Sequence, residues 1–253
     1  MNEQIPVAVV GARGRMGSKA VDAVMASADM RLVDAIDIGD PISSLEESKA
    51  RVAIDFTVPA ATEGNVHELI DLGVSVVVGT TGWDEAALGR VREHLSRASG
   101  IGVLIAPNFA IGAILATNLA ARAAPFFETV EVIELHHPDK LDAPSGTARA
   151  TAHVIAKARS EAGVKVRPDV TDPERSLDGA RGAVVDQVHV HSVRLRGLVA
   201  HEEILLGNPG EYLTIRHDSL SRVGFMPGVL AAVRHVVNHP GLTVGLEPLL
   251  GLA

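Results

Sequence analysis

Apolar and polar positions alternate in blocks along the first hundred residues. The run IPVAVVG (5–11) is apolar, rich in β-branched residues and closed by a glycine, and RMGSKAVDAVMAS (15–27) then carries its apolar residues at helical spacing. This pattern predicts a strand, a glycine turn and a helix. The alternation continues with strands expected over 30–37, 51–57, 74–79 and 101–107, and with helices over 59–73, opened by a proline, and 84–99. Strands that alternate with helices imply a parallel sheet covered on both faces. A Rossmann-like α/β domain of the dinucleotide-binding type is therefore expected over 1–108.

Beyond that point the pattern changes. A long apolar helix is predicted over 109–127 and a strand over 129–135, followed by the polar segment ELHHPDKLDAPSGTA (134–148), which opens a helix of good formers. The stretch 163–182 is polar and contains prolines, so it reads as a surface loop. From 183 to 220 the spacing is strand-like, with GNPGE (207–211) supplying a turn. This describes a second, α+β domain over 109–220 with an open, mainly antiparallel sheet. A last helical pattern, 226–241, is expected to pack back on the first domain, which then also takes in 221–253.

Composition narrows the functional classes. A chain of 253 residues that is 47% hydrophobic can bury cores for two domains. It has no cysteine, which excludes disulfides and thiolate metal sites and agrees with a reducing compartment, so a cytoplasmic protein is expected. The N-terminus lacks the order of a signal peptide and no apolar run approaches about 20 residues, so no membrane role is expected. A net charge of −8 argues against a nucleic-acid surface, and any anion site must be built locally.

The glycine turn, GARGRMG, spaces Gly11, Gly14 and Gly17 three apart. A tight turn of this kind presents backbone N–H groups and a helix N-terminus to a pyrophosphate; it could equally be a strand-to-helix turn without a ligand. Its position after a first strand favours the cofactor reading. Asp37 stands 20 residues after Gly17, where a carboxylate can take ribose hydroxyls, and Asp34 competes from within the strand pattern. GTTG (79–82) and APNF (106–109) lie where two further strands end, at the edge where open α/β sheets bind ligands.

In the polar segment, Ser145 precedes a helix whose first turn, at Gly146 and Thr147, should leave backbone N–H groups free for a carboxylate, with Lys140 adding a positive charge. The alternative is that DAPSG only caps the helix. His136 and His137 follow a strand directly, so at most one faces a given pocket unless the strand has ended. Metal binding with His189, His191 and His201 is the rival reading, but no H-E-x-x-H pattern accompanies them and no metal is expected. A histidine beside a lysine and an anion seat suits general-acid work on a small anion.

Six stretches, VAVVGARGRMG, VAIDFTVP, VVVGTTGW, IAPNFAIGA, ELHHPDKLDAPSGTA and GFMPGVLAAVR, together resemble the 4-hydroxy-tetrahydrodipicolinate reductase (dihydrodipicolinate reductase) family in order and across almost the whole chain. The resemblance implies NAD(P)H-dependent reduction, with NADH and/or NADPH, of a cyclic dicarboxylate in lysine and diaminopimelate synthesis. It also implies a homotetramer assembled through the sheets of the second domain, making that domain the substrate-binding and oligomerisation one. Carried over by position, His136 matches the family's acid/base and Lys140 its proton donor. His137, Gly146 and Thr147 match substrate-binding positions, and Ser145 is grouped with them. Gly11, Ala12, Arg13, Gly14, Arg15, Met16, Asp37, Gly79, Thr80, Thr81, Ala106, Pro107, Asn108 and Phe109 match cofactor-contacting ones. Ile38 stands where some relatives have an arginine suited to a 2′-phosphate, which leaves the nicotinamide preference open. The alternatives are a non-catalytic NAD(P)-binding redox regulator, which has no need of the histidine-lysine cluster, and a homoserine-type dehydrogenase, which would differ in the second domain.

Overall fold

The structure, a computed structural model, describes residues 4–252. Two compact units divide the chain: one runs to Ile111 and resumes at Arg222, and the other spans Gly112–Ser221.

The first unit is built on six parallel strands. They are β1 (Ile5–Val10), β2 (Met30–Ile36), β3 (Val52–Asp55), β4 (Ser75–Val78), β5 (Gly102–Ile105) and, from the end of the chain, β11 (Gly241–Val244), in the order β11-β5-β4-β3-β1-β2. The central strands β3, β4 and β5 are buried at every position, which is why they read as continuous apolar runs. Helices α1 (Gly17–Ala26), the short α2 (Leu45–Ser48), α3 (Pro59–Asp71), α4 (Glu85–Leu95) and, after the excursion into the second unit, α7 (Met226–Val236) belong to this unit. Pro59 opens α3, and the Asp84 side chain caps α4 by accepting from the Ala87 N–H. Helix α7 buries Val229, Ala232, Val233 and Val236, and stops short of Pro240. The sequence pattern had run this helix to 241 and had no strand after it; Gly241–Val244 instead pairs with β5 and completes the sheet.

The second unit begins at the second residue of α5 (Ile111–Ala123) and lays β6 (Thr129–His136), β7 (Ala183–Val185), β8 (Val188–Arg194), β9 (Ala200–Asn208) and β10 (Glu211–Ser219) into one sheet, in the order β10-β9-β6-β8-β7. The sheet is mainly antiparallel, but β6 and β8 run parallel. Helix α6 (Gly146–Glu161) and α5 cover one face. Pro209 and Gly210 form the β9–β10 hairpin loop, with Gly210 at φ +87° in the second loop position, where a type II turn opened by proline needs a glycine.

The covered face of this sheet changes character along its length. Val130 and Val132 on β6, Val188 and Val190 on β8, and Ile204 and Leu206 on β9 pack against Ala148, Ala152 and Ile155 of α6. Two and four residues further along the same face of β6 stand Glu134 and His136, flanked in register by Ser192 and Arg194 of β8. A hydrophobic core thus runs directly into a buried polar cluster.

Candidate active site

The first unit holds a cavity of 580 Å³ at the carboxyl edge of its sheet. Of the positions expected from sequence, Gly11, Gly14, Arg15, Met16, Asp37, Gly79, Thr80 and Thr81 line it. Gly11 has φ +79°, and a Cβ there would press on the Phe56 carbonyl; a Cβ on Gly17 would collide with the Gly11 carbonyl. These contacts bring α1 against the turn and leave the backbone open to a ligand. Asp37 accepts from the backbone N–H of Arg13 at 2.6 Å and of Ile38 at 2.8 Å, and these bonds hold its carboxyl below the usual range. Asp34 bonds the N–H of Ala35 next to it within β2. Asp40 also lines the cavity and accepts from the Asp37 N–H.

Ala12, Arg13 and Ala106–Phe109 are not among the residues lining the cavity. Arg13 meets this region through its backbone N–H and through the charge of its guanidinium, which helps lower Asp37, Asn108 accepts from the Ala110 N–H, and Phe109 packs edge-on against Phe56, which does line it. Sequence reasoning missed the residue that organises this wall. The fully buried Asp55 carboxylate accepts from the Thr57 N–H and from the hydroxyls of Thr57, Thr62 and Thr80 on one oxygen, and from Asn65 Nδ2 on the other. Thr57, Asn65 and Thr80 all line the cavity. A glycine-lined turn, an open backbone and an acidic group at the far end fit a dinucleotide.

In the second unit, β6 ends at His136, and the Lys140 N–H donates to the His137 carbonyl in the turn that follows. His136 Nδ1 lies 2.5 Å from Glu134 Oε2. Glu134 is fully buried and also accepts two bonds from Arg194, at 2.9 and 2.8 Å, and one from the Ser145 N–H. Burial alone would raise this carboxyl, but the bonds from Arg194, Ser192 and His136 outweigh it and keep Glu134 ionised below its ordinary range. The anion in turn fixes the proton of His136 on Nδ1 and leaves Nε2 as the exchangeable atom. Burial lowers the His136 pKa below 6.5 despite the opposing pull of Glu134, with Lys140 and Arg194 pushing the same way as burial.

Ser145 is the N-cap of α6, its hydroxyl accepting from the Ala148 N–H. The Gly146 N–H, read from sequence as free, donates to Asp142 Oδ2 at 3.3 Å, and Lys140 forms an ion pair with the other oxygen of the same carboxylate at 2.7 Å. Asp142 therefore holds two of the groups, Lys140 and the Gly146 N–H, that the sequence assigned to a ligand carboxylate. The backbone carbonyl of Asp142 is held by Arg194. His189, His191 and His201 lie on the opposite face of the sheet from His136, bonded to the Arg181 carbonyl, Glu131 and Asp218, so they cannot be its co-ligands. Glu134 and Arg194 had no role in the sequence reading, since their pairing joins positions 60 residues apart.

Two family models match: the dihydrodipicolinate reductase N-terminus over residues 5–109 and its C-terminus over 112–250. The chain belongs to the dihydrodipicolinate reductase family. It is 58% identical to the 4-hydroxy-tetrahydrodipicolinate reductase of Beutenbergia cavernae, over 98% of this chain and 99% of that one. It is 55% identical to the enzyme of that name from Streptomyces coelicolor, with the same coverage. Among solved structures, a dipicolinate-bound dihydrodipicolinate reductase from Paenisporosarcina sp. TG-14 superposes with TM-score 0.86 at 38% identity, over 97% of this chain and 99% of that one. Family membership makes the chain an NAD(P)H-dependent oxidoreductase with the 4-hydroxy-tetrahydrodipicolinate reductase activity of lysine and diaminopimelate synthesis. Among the described residues, no helix is long and apolar enough to cross a membrane.

Proposed function

We propose that His136 is the acid of this reductase and that Lys140, with His137, Ser145, Gly146 and Thr147, receives the carboxylates of a cyclic dicarboxylate. The observation that carries the reading is the buried Glu134–His136 pair clamped by Arg194, which orients one imidazole nitrogen and holds its tautomer. A bound nicotinamide supplies hydride from its C4. The first unit is the dinucleotide-binding domain and the second the substrate domain. In the first, the glycine turn leaves room for the pyrophosphate, Asp37 takes the ribose, and Asp55 keeps Thr57, Asn65 and Thr80 aligned along the wall. In the second, the incoming carboxylate competes with Asp142 for Lys140 and the Gly146 N–H, two donors already converged on one anion. The negative charge of that substrate raises the proton affinity of His136, so the imidazole that rests neutral in the free protein becomes a competent donor once substrate is bound. The bound dipicolinate of the Paenisporosarcina relative supports a dicarboxylate.

Association as a homotetramer accords with the face of the second sheet that bears no helix, where Val184, Val193 and Tyr212 are exposed. The absence of cysteine supports a cytoplasmic location, and the net charge of −8 a protein without nucleic-acid or membrane partners. The test supplies the cyclic product of the upstream aldol condensation, and separately aspartate semialdehyde alone, with NADH and with NADPH. Steady cofactor oxidation with the cyclic compound only is expected, whereas reduction of the semialdehyde alone, or binding without turnover, overturns the reading. Sedimentation equilibrium settles the tetramer.

A further inference from the structure

One buried carboxyl has no part in that mechanism. Glu202 of β9 stands opposite Glu134 in register, is 8% exposed, and its Oε1 is buried with no hydrogen-bond partner among the described residues. From β6 come Glu134, an anion, and, two residues on along the same face, His136, already bonded to Glu134; from β8 comes Arg194, whose two terminal nitrogens are given to Glu134 and to backbone carbonyls and whose buried Nε has no partner among the described residues, Glu202 included. From β10 comes His217, directly opposite Glu202 and driven toward its neutral form by burial, and from the helices only hydroxyls. Thr151 of α6 shares a hydrogen bond with Glu202 and lies 2.9 Å from Thr117 of α5. A carboxylate here would be a second buried anion beside Glu134, with one oxygen unbonded and no cation bonded to it.

Resting on the reading of His136 and Glu134 given above, we infer that Glu202 is carried as the neutral carboxylic acid and acts as a positioning residue behind the Glu134–His136 pair. As an acid it keeps its hydrogen bond with Thr151, tying β9 to α6 at the rung where Glu134 emerges from the sheet, and it leaves Glu134 as the only anion in the row Ser192–Glu134–Glu202–His217. Burial, and after it the charge of Glu134, raise the Glu202 carboxyl against the lowering pull of Thr151, in keeping with this state. Ionising it would draw a proton more tightly onto His136 and split Arg194 between two carboxylates.

The test combines infrared spectroscopy with two substitutions. Wild-type protein at neutral pH should show the stretching band of a protonated carboxyl, shifted by deuterium exchange and absent from Glu202→Gln. Glu202→Leu, which keeps the volume and loses the bond to Thr151, should lower kcat by about tenfold with the nicotinamide KM unmoved, and Glu202→Gln should restore most of that loss. Absence of the band, or its survival in Glu202→Gln, overturns the protonation state. Equal damage in both variants, or none in Glu202→Leu, overturns the positioning role. If Glu202→Leu does not fold, the infrared comparison and the turnover of Glu202→Gln decide alone. Should His136→Gln prove fully active, the reading of the pair fails whatever the state of Glu202; if His136→Gln is inactive and the band is missing, only this inference fails.

Discussion

Replacing Glu134 by glutamine separates its two jobs. The carboxylate is fully buried and holds His136 Nδ1 at 2.5 Å and two Arg194 nitrogens at 2.8 and 2.9 Å. Glutamine keeps the shape but removes the charge and turns one acceptor into a donor facing these groups. Stranding one member of a buried ion pair costs about 3 to 5 kcal/mol, and because the Arg194 side chain is 20% exposed, the lower end, about 3 kcal/mol, is expected. In a chain of this size that corresponds to a melting temperature lower by roughly 10 °C. Turnover should fall further than stability alone implies, by about a hundred- to ten-thousand-fold, because the imidazole loses the partner that fixes its tautomer. Glu134 also raises the proton affinity of His136, so residual activity should peak at lower pH than in the wild type. The assay is cofactor oxidation across pH, beside a thermal melt and a nicotinamide titration that should not change. A variant that melts early yet turns over within tenfold of wild type would show that the glutamate only holds the fold.

Other expectations follow from the same geometry. With protonated His136 required, kcat/KM, which reports the free protein, should fall as pH rises through a pKa below 6.5, while the corresponding limb of kcat lies at higher pH because bound substrate adds negative charge; a kcat/KM limb above that of kcat would contradict this. Asp55→Asn should raise the nicotinamide KM about tenfold or more and cost about 2 kcal/mol of stability, with kcat less affected, as measured by fluorescence titration and melting. Asp37 and Asp40 both line the cofactor cavity and disfavour a 2′-phosphate, which Arg15 can offset from the same wall, so wild-type preference should stay within about a hundredfold. Arg15→Ala should then hurt NADPH selectively, and Arg13→Ala, which removes a positive charge felt by Asp37 but not a residue of that wall, should do so to a smaller extent.

The regular alternation of the first unit was legible because each central strand is buried on both faces and two of the intervening helices open on a clear start signal, Pro59 and Asp84. Strand β11 was not, since Gly241–Val244 lies at the sheet edge, lacks the full burial that makes β3, β4 and β5 read as apolar runs, and gains its identity only from β5, more than a hundred residues away in sequence. The parallel pairing of β6 with β8 is likewise set by tertiary register. The chemistry followed the same division. His136, Lys140 and Ser145 sit within one segment and could be read together. Glu134 was in plain view there, but its role depends on Arg194, and that of Asp55 on Asn65 and Thr80, partners brought near only by folding. The Gly146 N–H was misread as free because Asp142, four residues earlier, folds back onto it.

The most direct test of the central claim is single-turnover reduction of the cyclic dicarboxylate by His136→Gln, run beside wild type with NADH and NADPH at saturating cofactor. A chemical step slower by about a hundred- to ten-thousand-fold, with cofactor affinity within error of wild type, is the result predicted for a buried acid oriented by Glu134. A chemical step within a few-fold of wild type would contradict it.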